Sequence, residues 1–389
     1  MTRWQLVTSE YPPDTGGVSD YSRLVAHGLA ELGDEVIVWC PGREVAPRLE
    51  AEGRIRVRAT LGGFGPSDLR RVGRLMDAEP SPRLLLVQWV PHGFRLRAVN
   101  VPFAIWLWRR VRSRGDRLEL MVHEGGLPYS RVKLRQNLAA VAQRAMVAIT
   151  LNVASRVWIS NPRWEKRLRP FSLGRKLRFT WLPVPSNVPE ASDADAIKRV
   201  RDAVALAGQP VVGHFGTYAE HTTRYLDALA ESVTAAGAVL LLMGVGSKQY
   251  AKALAERLPT VGKSVFGRGA LDATALSAHL SACDVVAQPY PDGVSGRRGS
   301  AMAALAHGRA MVTTRGEFTE PVWLVDHPVR AVAAGDPAVF AKAVLETLRD
   351  GSERCRLEIA ARRLYTDHFD LAHTISALRR NRGTDASHP

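Results

Sequence analysis

The sequence has little cysteine, no long hydrophobic run and no excess of acidic residues. Its three cysteines, Cys40, Cys283 and Cys355, lie far apart, which excludes a disulfide framework or a cysteine metal cluster and predicts a reducing, cytoplasmic compartment. The longest apolar run, Val101 to Trp108, is much shorter than a membrane-spanning helix requires. The first residues lead directly into a strand-like run, so we predict no signal peptide.

The charge that is present is basic and unevenly distributed. The chain carries 53 Lys and Arg against 38 Asp and Glu, a formal net charge of +15. Up to Glu190 there are 30 basic and 17 acidic residues, whereas the rest of the chain has 23 and 21. The excess in the first half predicts an anionic partner, which can be a membrane surface, a nucleic acid or a phosphorylated acceptor.

Length and composition are typical of a globular protein with two or three domains: 389 residues, 46% hydrophobic and 23% charged. Short runs rich in Val, Ile and Leu alternate with segments that have apolar residues at helical spacing. The predicted strands are 4–8, 35–40, 83–88, 117–123 and 156–160, then 210–215, 238–243, 263–266, 284–288 and 310–314. The predicted helices include 18–32, 134–149, 224–235, 249–258, 276–283, 300–307 and a long one over 353–380. Because the strands are continuously apolar, we predict parallel sheets covered by helices on both faces.

A proline-rich stretch, 182–189, interrupts this alternation. Proline removes backbone donors and stiffens the chain, so the stretch is typical of a short, semi-rigid connector. We therefore predict two doubly wound α/β domains that face each other across a cleft. The first spans 1–182, a linker follows over 183–194, the second spans 195–352, and 353–389 forms a C-terminal helix that crosses back, plus a tail.

Ligands of open parallel sheets bind at the loops that follow the carboxyl ends of the strands. After the first strand, Gly16 and Gly17 precede a helix, where backbone N–H groups can face an anion; an ordinary tight turn is the alternative. His123 and Glu124 end another strand. A histidine in that place can hydrogen-bond a substrate hydroxyl, although a lone histidine is more often structural.

Two turns of the second half of the chain also lie directly after predicted strands and before predicted helices. Gly216 and Thr217 follow its first strand, and Gly246, Ser247 and Lys248 follow its second. Either turn can admit a phosphate, although a plain strand-to-helix turn is the commoner explanation of each one alone. The second turn lacks the P-loop spacing, so ATP hydrolysis is not predicted.

The loop over 289–300 gives the strongest signal, because it combines an acid, glycines and two arginines just before a helix. Its predicted site residues are Asp292, Gly293, Val294, Ser295, Arg297, Arg298, Gly299 and Ser300. The free N–H groups and the dipole at the start of that helix favour a diphosphate. The arginines add fork-shaped donors, and the aspartate can hold sugar hydroxyls. The alternative is a capped helix with a solvated basic turn.

The order of these motifs resembles that of the retaining GT-B glycosyltransferases of glycosyltransferase family 4, also described as glycosyl transferases group 1. The motifs are Pro-Pro-x-x-Gly-Gly-Val-x-x-Tyr early, His-Glu in mid-domain, and Asp-Gly-Val-Ser leading into Ala-x-Ala-His-Gly late. The resemblance implies two Rossmann-like domains. It also implies transfer of a sugar from a nucleoside diphosphate to an acceptor hydroxyl, with retained anomeric configuration and no dedicated nucleophile. The donor would bind mainly to the second domain and the acceptor mainly to the first.

The resemblance also implies roles for single residues. In that family a Glu, seven residues, Glu motif contacts the donor sugar and the ribose; here Asp292 falls on the first position and Ser300 on the second, which offers the ribose no carboxylate. His123 and Asp292 are the candidate catalytic residues, both holding the sugar. Tyr21 and Glu124 are expected on the acceptor side, and Gly16 and Gly17 near the diphosphate.

The family's basic pair after the first strand of the second domain is missing from its usual place. Only His221 and Arg224 are nearby in the sequence. We expect Arg297 and Arg298 to supply the charge that neutralises the diphosphate, with Arg268 as a weaker candidate. A further acidic pair beside the linker, Asp193 and Asp195, is predicted to cap a helix, so no metal and no other cofactor is predicted.

The segment 102–114 joins three large aromatic residues to four arginines. Such a helix can lie in the interface of an anionic membrane, and a core helix with solvated arginines is an equal alternative. Together with the basic first half it favours a peripheral membrane location and an acceptor that is lipid-linked, a cell-surface glycan precursor or a small molecule. Two other functions stay open. One is a catalytically weak GT-B relative that acts as a partner subunit or a sugar-nucleotide epimerase, and the less favoured one is a basic nucleic-acid-binding protein, for which no binding motif is found.

Overall fold

The computed structural model of the chain describes residues 1–42, 49–95, 98–190, 193–205 and 208–380, with the backbone alone for 49–52. The chain divides into two compact units. The first comprises Met1–Pro183 and the residues from Leu371 onward, and the second comprises Val184–Asp370. Each unit is an α/β structure built on its own sheet, which confirms the predicted fold class.

The first unit contains an eight-stranded sheet in the order β3-β4-β2-β1-β5-β6-β7-β8. The strands are β1 (Arg3–Val7), β2 (Glu35–Cys40), β3 (Leu49–Glu52), β4 (Ile55–Ala59), β5 (Leu84–Trp89), β6 (Arg117–Val122), β7 (Ala154–Ile159) and β8 (Phe179–Trp181). The helices are α1 (Gly17–Glu31), α2 (Pro66–Asp77), α3 (Val101–Arg114), α4 (Leu134–Leu151) and α5 (Arg163–Leu168), with short 3-10 helices at Pro91–Phe94 and Arg169–Ser172. Neighbouring strands are parallel except β3 and β4, which are antiparallel.

The inner strands of this sheet are buried on both faces, as their sequences predict. All six residues of β5 (Leu-Leu-Leu-Val-Gln-Trp) are buried. The tryptophans fit into the core because buried acceptors take their N–H groups: Trp39 Nε1 donates to Gln5 Oε1 at 2.6 Å, and Trp158 Nε1 donates to Glu119 Oε2 at 2.8 Å. The sheet is therefore a rigid support for the loops at its carboxyl edge.

The second unit contains a six-stranded, fully parallel sheet in the order β11-β10-β9-β12-β13-β14. Its strands are β9 (Val211–Phe215), β10 (Val239–Met243), β11 (Val265–Gly267), β12 (Val285–Gln288), β13 (Met311–Arg315) and β14 (Arg330–Ala333). Its helices are α6 (Ala194–Val204), α7 (Glu220–Ala235), α8 (Ser247–Arg257), α9 (Ala273–Ser281), α10 (Gly299–Ala306), α11 (Pro337–Arg349) and α12 (Gly351–His368), with 3-10 helices at Pro259–Val261 and Pro321–Trp323. The last helix of the chain, α13 (Leu371–Arg379), belongs to the first unit.

Both sheets change the direction of strand addition at their first strand. The chain adds β2 and β4 on one side of β1 and then β5 on the other; it adds β10 and β11 on one side of β9 and then β12 on the other. In sheets of this kind the ligand lies outside the carboxyl ends of the strands at that point. In the second unit this points to the loops that follow β9 and β12.

The predicted single helix over 353–380 is wrong, because the chain turns between α12 and α13. Phe369 is fully buried and stacks on Trp323 with the ring centroids 5.2 Å apart. The N–H groups of Phe369 and Asp370 both donate to the carbonyl of Tyr365, which ends the helix. Helix α12 packs against α10, and α13 packs against α1. The last nine residues of the predicted tail, 381–389, lie outside the described residues.

Four strands do not show in the sequence pattern: β3, β4, β8 and β14. Arginine interrupts the apolar residues of β4 (Ile-Arg-Val-Arg-Ala) and begins β14 (Arg-Ala-Val-Ala), and β8 has only three residues. Three of the four, β3, β8 and β14, are edge strands. Edge strands are short and charged because a flat apolar edge would invite pairing with other chains, so their signal is weak.

Helix α3 contains the predicted membrane-interface segment, 102–114. Phe103 and Leu107 are fully buried, and Arg110 is buried in ion pairs with Asp116 and Asp77. Phe103 also contacts three other aromatic rings of the core. These three side chains serve the interior of the first unit, as the core-helix alternative expects. Among the aromatic residues of the segment, Trp108 is 37% exposed.

Candidate functional site

Three consecutive loops at the carboxyl edge of the second sheet are tied to one another. The Gly216 N–H donates to the Met243 carbonyl at 3.2 Å, and the Gly244 N–H donates to the Gly269 carbonyl at 3.0 Å. The Ser247 hydroxyl is fully buried and accepts from the Gly269 N–H at 2.7 Å. Ser247, predicted as a ligand-binding residue, therefore helps to hold the loop after β10 against the loop after β11.

These loops approach so closely that side chains would not fit. A Cβ on Gly244, whose φ is +108°, would lie 2.4 Å from the Gly216 carbonyl oxygen. Gly246 precedes α8 with φ +88°, and the predicted phosphate-binding residue Lys248 is exposed beside Gly269. Thr217 continues the first of the loops, between Gly216 and the start of α7. Gly244 and Gly246 thus have a structural reason, which is a positive φ at both and a close backbone approach at Gly244.

The loop between β12 and α10 contains a compact charged cluster. The carboxylate of Asp292 accepts hydrogen bonds from both Arg297 and Arg298, one on each oxygen. The side chains of the three residues are 30%, 20% and 27% exposed. Aromatic rings support the guanidinium groups: Phe318 lies 4.8 Å from that of Arg297 and Tyr290 lies 4.8 Å from that of Arg298. The sequence predicts these charges as separate donors and acceptor; the structure joins them into one cluster with net charge +1.

The cluster lies at the N-terminus of α10. Arg298 is the N-cap residue, its own side chain does not cap the helix, and Gly299 has open space where a Cβ would stand. Ser300 shares a 2.8 Å hydrogen bond with the Tyr290 hydroxyl. A helix end with two adjacent arginines favours an anion, as the sequence predicts. Ser300 supports the aromatic ring beneath Arg298 and brings no charge of its own.

The middle of the same loop is buried. Val294 and Ser295 are 0% exposed, and the Ser295 hydroxyl has no hydrogen-bond partner among the described residues. Gly293, with φ +91°, lies so close to Gly316 that a Cβ would be 2.3 Å from the Gly316 nitrogen. The Gly296 carbonyl accepts from the Val184 N–H at 2.7 Å, so the proline-rich connector is anchored on this loop. Val294 and Ser295 thus shape the loop from inside.

Glu320 is a residue of this region that the sequence analysis misses. Its two carboxylate oxygens each lie 3.1 Å from the Gly296 nitrogen, and Oε2 accepts from Trp323 Nε1 at 3.0 Å. Burial raises the pKa of Glu320 to about 7, although these hydrogen bonds and Arg297 act in the opposite direction. Because Glu320 follows β13, only the pairing of β12 with β13 brings it to the loop. A lone glutamate in a polar stretch gives no sequence signal for that contact.

We expect Glu320 to make stability depend on pH. The folded chain keeps this proton up to about pH 7, whereas the unfolded chain releases it near the ordinary pKa of 4.5. The free energy of unfolding should therefore fall as pH rises through this window, by about 3 kcal/mol from this group. Glu320→Gln, which stays neutral, should lose that component. Urea denaturation of both proteins at pH 5 and pH 7.5 measures it, with Glu317→Gln as an exposed control. Equal pH dependence of all three proteins would show that Glu320 is ionised throughout.

Two further residues of the second unit, close to these loops, have buried polar atoms. His214, in β9, is 2% exposed, and its Nδ1 lies 2.9 Å from the Ala287 carbonyl oxygen. Burial lowers its pKa to about 4, so the ring is neutral near pH 7. The Nε2 of His214 points at the loop after β9, because a Cβ added to Gly216 would lie 3.4 Å from this nitrogen. Arg268 lies over Phe266, with its buried Nε unpartnered among the described residues.

In the first unit, His123 follows β6 and is 9% exposed. Its Nε2 lies 2.8 Å from Gln88 Oε1, and Tyr21 packs edge-on with the ring centroids 4.9 Å apart. Burial lowers the pKa of His123 to about 3, so the ring is neutral at physiological pH. An amide oxygen only accepts, so Nε2 carries the proton and Nδ1 is an acceptor. Tyr21, predicted on the acceptor side, is buried beneath this histidine.

The glycine pair before α1 already faces a carboxylate of the chain itself. Glu10 Oε1 accepts from the N–H groups of Val18 and Ser19 at 3.1 and 3.0 Å. A Cβ on Gly16 would lie 2.4 Å from that oxygen, which explains the glycine, whereas Gly17 has open space. The N-terminus of α1 thus holds an anion, as its motif indicates, but the anion is Glu10. Gly16 and Gly17 stay predicted diphosphate-binding residues, and a diphosphate there would compete with Glu10 for the N–H groups of Val18 and Ser19.

Glu124, the other predicted acceptor-side residue, is half-exposed and pairs with a second histidine. Its Oε2 lies 2.9 Å from His92 Nδ1. His92 lies in the 3-10 helix after β5, so the sequence analysis did not connect the two. This pair and His123 follow neighbouring strands of the first sheet.

Among the described residues, no group of three or more His, Cys, Asp or Glu side chains is placed to hold a metal ion. The acidic pair beside the linker caps α6, because Asp193 Oδ1 accepts from the Ala196 N–H at 3.0 Å. In the same described ranges, no helix is long and apolar enough to cross a membrane.

Comparisons with known proteins agree with this architecture. Residues 209–350, which lie in the second unit, match the family model described as Glycosyl transferases group 1. No curated protein sequence matches the chain. The structural likenesses cover nearly the whole chain.

Three solved structures are similar to this chain over nearly its whole length. Sucrose-phosphate synthase from Thermosynechococcus elongatus has 16% identity and a TM-score of 0.74 over 97% of both chains. HepE from Anabaena, in complex with UDP and glucose, has 15% identity and a TM-score of 0.67 over 96% of this chain and 98% of that one. A UDP-forming α,α-trehalose-phosphate synthase from Burkholderia xenovorans, in complex with glucose-6-phosphate, has 12% identity and a TM-score of 0.71 over 97% and 99%. At these identities the likeness shows the fold, which is that of GT-B proteins.

Proposed function

We propose that the protein is a glycosyltransferase that moves a sugar from a nucleoside diphosphate to an acceptor hydroxyl. The observation that carries the proposal is the cluster of Asp292, Arg297 and Arg298 at the N-terminus of α10. It follows β12, the strand next to the switch point of the second sheet, where such sheets bind ligands. The family-model match over the same unit supports a nucleotide sugar as the donor.

The chemistry that this loop offers is stabilisation of a leaving diphosphate. Cleavage of the bond between the sugar and the diphosphate leaves negative charge on the outer phosphate. The guanidinium groups of Arg297 and Arg298 and the positive end of α10 are preorganised to stabilise that charge. We propose retention of anomeric configuration, as in the family that the sequence resembles. Without a protein nucleophile, retention requires the acceptor hydroxyl to attack from the leaving-group face.

The same contacts give Asp292 two states. In one, its carboxylate pairs with both arginines, as the structure shows. A diphosphate competes for those guanidinium groups, and the displaced carboxylate becomes free to accept from sugar hydroxyls. Phosphate binding and sugar binding would then be coupled through one ion-pair exchange.

In the first unit, His123 is the residue that we assign to the sugar or the acceptor. It is neutral because of burial, and Gln88 orients it, so its Nδ1 is available to accept from a hydroxyl. We propose an acceptor that is a glycan precursor, lipid-linked or a small sugar derivative. The half-exposed Glu124 and His92 pair would lie on the acceptor side.

The test of the proposal combines binding with transfer. A thermal-shift panel of UDP, GDP, ADP and dTDP should identify one diphosphate that raises the melting temperature, because a ligand that binds the folded form stabilises it. The corresponding nucleotide sugars are then incubated with free sugars, sugar phosphates and lipid-linked sugars. We expect release of nucleoside diphosphate that depends on one acceptor, and NMR of the product gives its anomeric configuration. Absence of any stabilising diphosphate would contradict the proposal.

One observation favours a second candidate, a catalytically weak relative that acts as a partner subunit or a sugar-nucleotide epimerase. Asp292 is engaged by two arginines, and Ser300 provides no carboxylate for the ribose. Donor binding without transfer to any acceptor would support this candidate. A donor altered in the absence of acceptor would indicate an epimerase, and an unaltered donor would indicate a partner subunit.

A further inference from the structure

Helix α4 is apolar on two opposite sides. One side, which includes Met146 and Leu151, is buried in the first unit. On the other side, Leu134, Leu138 and Val141 are 73%, 65% and 54% exposed. At about 100° per residue these three lie within about 60° of one another, roughly opposite the buried side. A helix that is apolar on both sides normally has a partner on each, and the described residues cover only one.

The loop that leads into α4 extends this exposed side. Leu127, Tyr129 and Val132 are 37%, 58% and 90% exposed. The loop is held in place by Gln143, whose Oε1 accepts from the Leu127 N–H at 2.8 Å, and by Arg144, which lies 4.0 Å above the Tyr129 ring. The apolar side chains are therefore presented by an ordered loop and not by a frayed one.

Basic residues surround these side chains, and acidic residues are missing from this stretch of the sequence. We name as the basic apolar face the following residues: Leu127, Tyr129, Arg131, Val132, Lys133, Leu134, Arg135, Leu138 and Val141. From Gly125 to Trp164 the sequence contains no Asp or Glu but six Arg or Lys residues. Such a face is complementary to a surface that is apolar beneath and anionic above.

We propose that the basic apolar face docks on an anionic phospholipid bilayer. Its leucines and valines would enter the interface, while Arg131, Lys133 and Arg135 contact lipid phosphates. A second copy of the chain is the poorer occupant, because a symmetric contact would press identical cations against each other. The docking surface thus differs from the segment 102–114 that the sequence suggests, where Phe103 and Leu107 are core residues.

A groove beside the face fits the same occupant. It has a volume of about 450 Å³ and shares Leu127 and Tyr129 with the face. Phe171 and Val147 supply apolar walls, and Arg144 and Arg167 supply cations. A phospholipid headgroup combines an anionic phosphate with the start of an apolar chain, which matches this lining.

Vesicle co-sedimentation of the full chain without sugar nucleotide tests the proposal. The vesicles contain equal amounts of phosphatidylglycerol and phosphatidylcholine, or phosphatidylcholine alone, at 0.15 M salt, about physiological ionic strength. We expect binding to the anionic vesicles only. Arg131→Ser/Lys133→Ser/Arg135→Ser should weaken it about a hundredfold, because each cation near the surface contributes about fivefold. Leu134→Gln/Leu138→Gln/Val141→Gln should weaken it at least about tenfold through lost apolar burial.

The matched control is Val339→Gln/Ile359→Gln, which removes two apolar side chains that are 47% and 67% exposed in the second unit. It should bind like the unaltered chain. Equal binding of the Leu134 triple variant and this control would overturn the proposal, as would equal binding to both kinds of vesicle. A dimer that is abolished by Leu134→Gln/Leu138→Gln/Val141→Gln would also overturn the proposal, because the face would then contact a second copy of the chain. No sugar nucleotide is present, so the result is independent of the proposed transfer.

Discussion

Replacing both Arg297 and Arg298 by Ala should weaken binding of the stabilising nucleoside diphosphate about a hundredfold. Each arginine can make a charge-assisted hydrogen bond to a phosphate, and two such bonds together contribute about 3 kcal/mol or more. The double variant also leaves Asp292 without its partners, beside the position where the phosphate binds. Isothermal titration with the diphosphate, and with its sugar form, measures the loss.

The controls for this variant separate local charge from net charge. Arg330→Ala/Arg356→Ala removes two arginines of the same unit that pair with Glu346 and Glu353. It lowers the net charge equally, and we expect its affinity for the diphosphate to be unchanged. Arg297→Lys/Arg298→Lys keeps the charge but loses the fork, so it should regain only part of the affinity. Affinity at the level of the unaltered protein in the Ala double variant would remove these arginines from the site.

Asp292→Asn should lower sugar transfer by two to three orders of magnitude, about the effect of removing one preorganised polar contact to the transition state. It should leave diphosphate affinity equal or higher, because the amide no longer competes with the phosphate for Arg297 and Arg298. Steady-state transfer assays and titration with the diphosphate measure the two effects separately.

Asp292→Asn should lose sugar transfer and keep its affinity for the diphosphate, whereas the arginine variants should lose that affinity. Asp367→Asn is the matched control, because Asp367 also pairs with an arginine, Arg363, but on the exposed surface of α12. It should change neither quantity. If Asp292→Asn lost diphosphate affinity as strongly as the arginine variants do, the carboxylate would be holding the arginines in place and not competing with the ligand.

Most inner strands of each sheet could be predicted from sequence, while most edge strands could not. Strand β10 is a continuous run of Val, Leu and Met, and β5 begins with Leu-Leu-Leu-Val, because both faces of each strand are buried. The edge strand β14, and β4 next to the edge strand β3, mix arginine with apolar residues, so no periodicity marks them. The break between α12 and α13 is also invisible, since it depends on Phe369 stacking on Trp323, a contact distant in sequence.

The candidate site shows the same division. The loop over 289–300 is recognisable because its glycines, acid and arginines stand together before a helix. Its partners are not recognisable, because they come from other loops: Glu320 reaches Gly296 only through the neighbouring strand β13. At Gly16 the motif indicates an anion site, and the fold adds a feature that the motif does not show: the carboxylate of Glu10 from the same loop accepts from the N–H groups of Val18 and Ser19. A motif shows which groups can bind a ligand, and the fold determines which of these groups also bind other residues of the chain.

A crystal structure with the nucleoside diphosphate selected by the thermal-shift panel is the most direct test of the central claim. We expect the outer phosphate about 3 Å from the backbone nitrogen of Gly299 or Ser300. At least one of Arg297 and Arg298 should have left Asp292 to bind it. A diphosphate bound elsewhere, with Asp292 still pairing with both arginines, would contradict the claim that the start of α10 is the donor site.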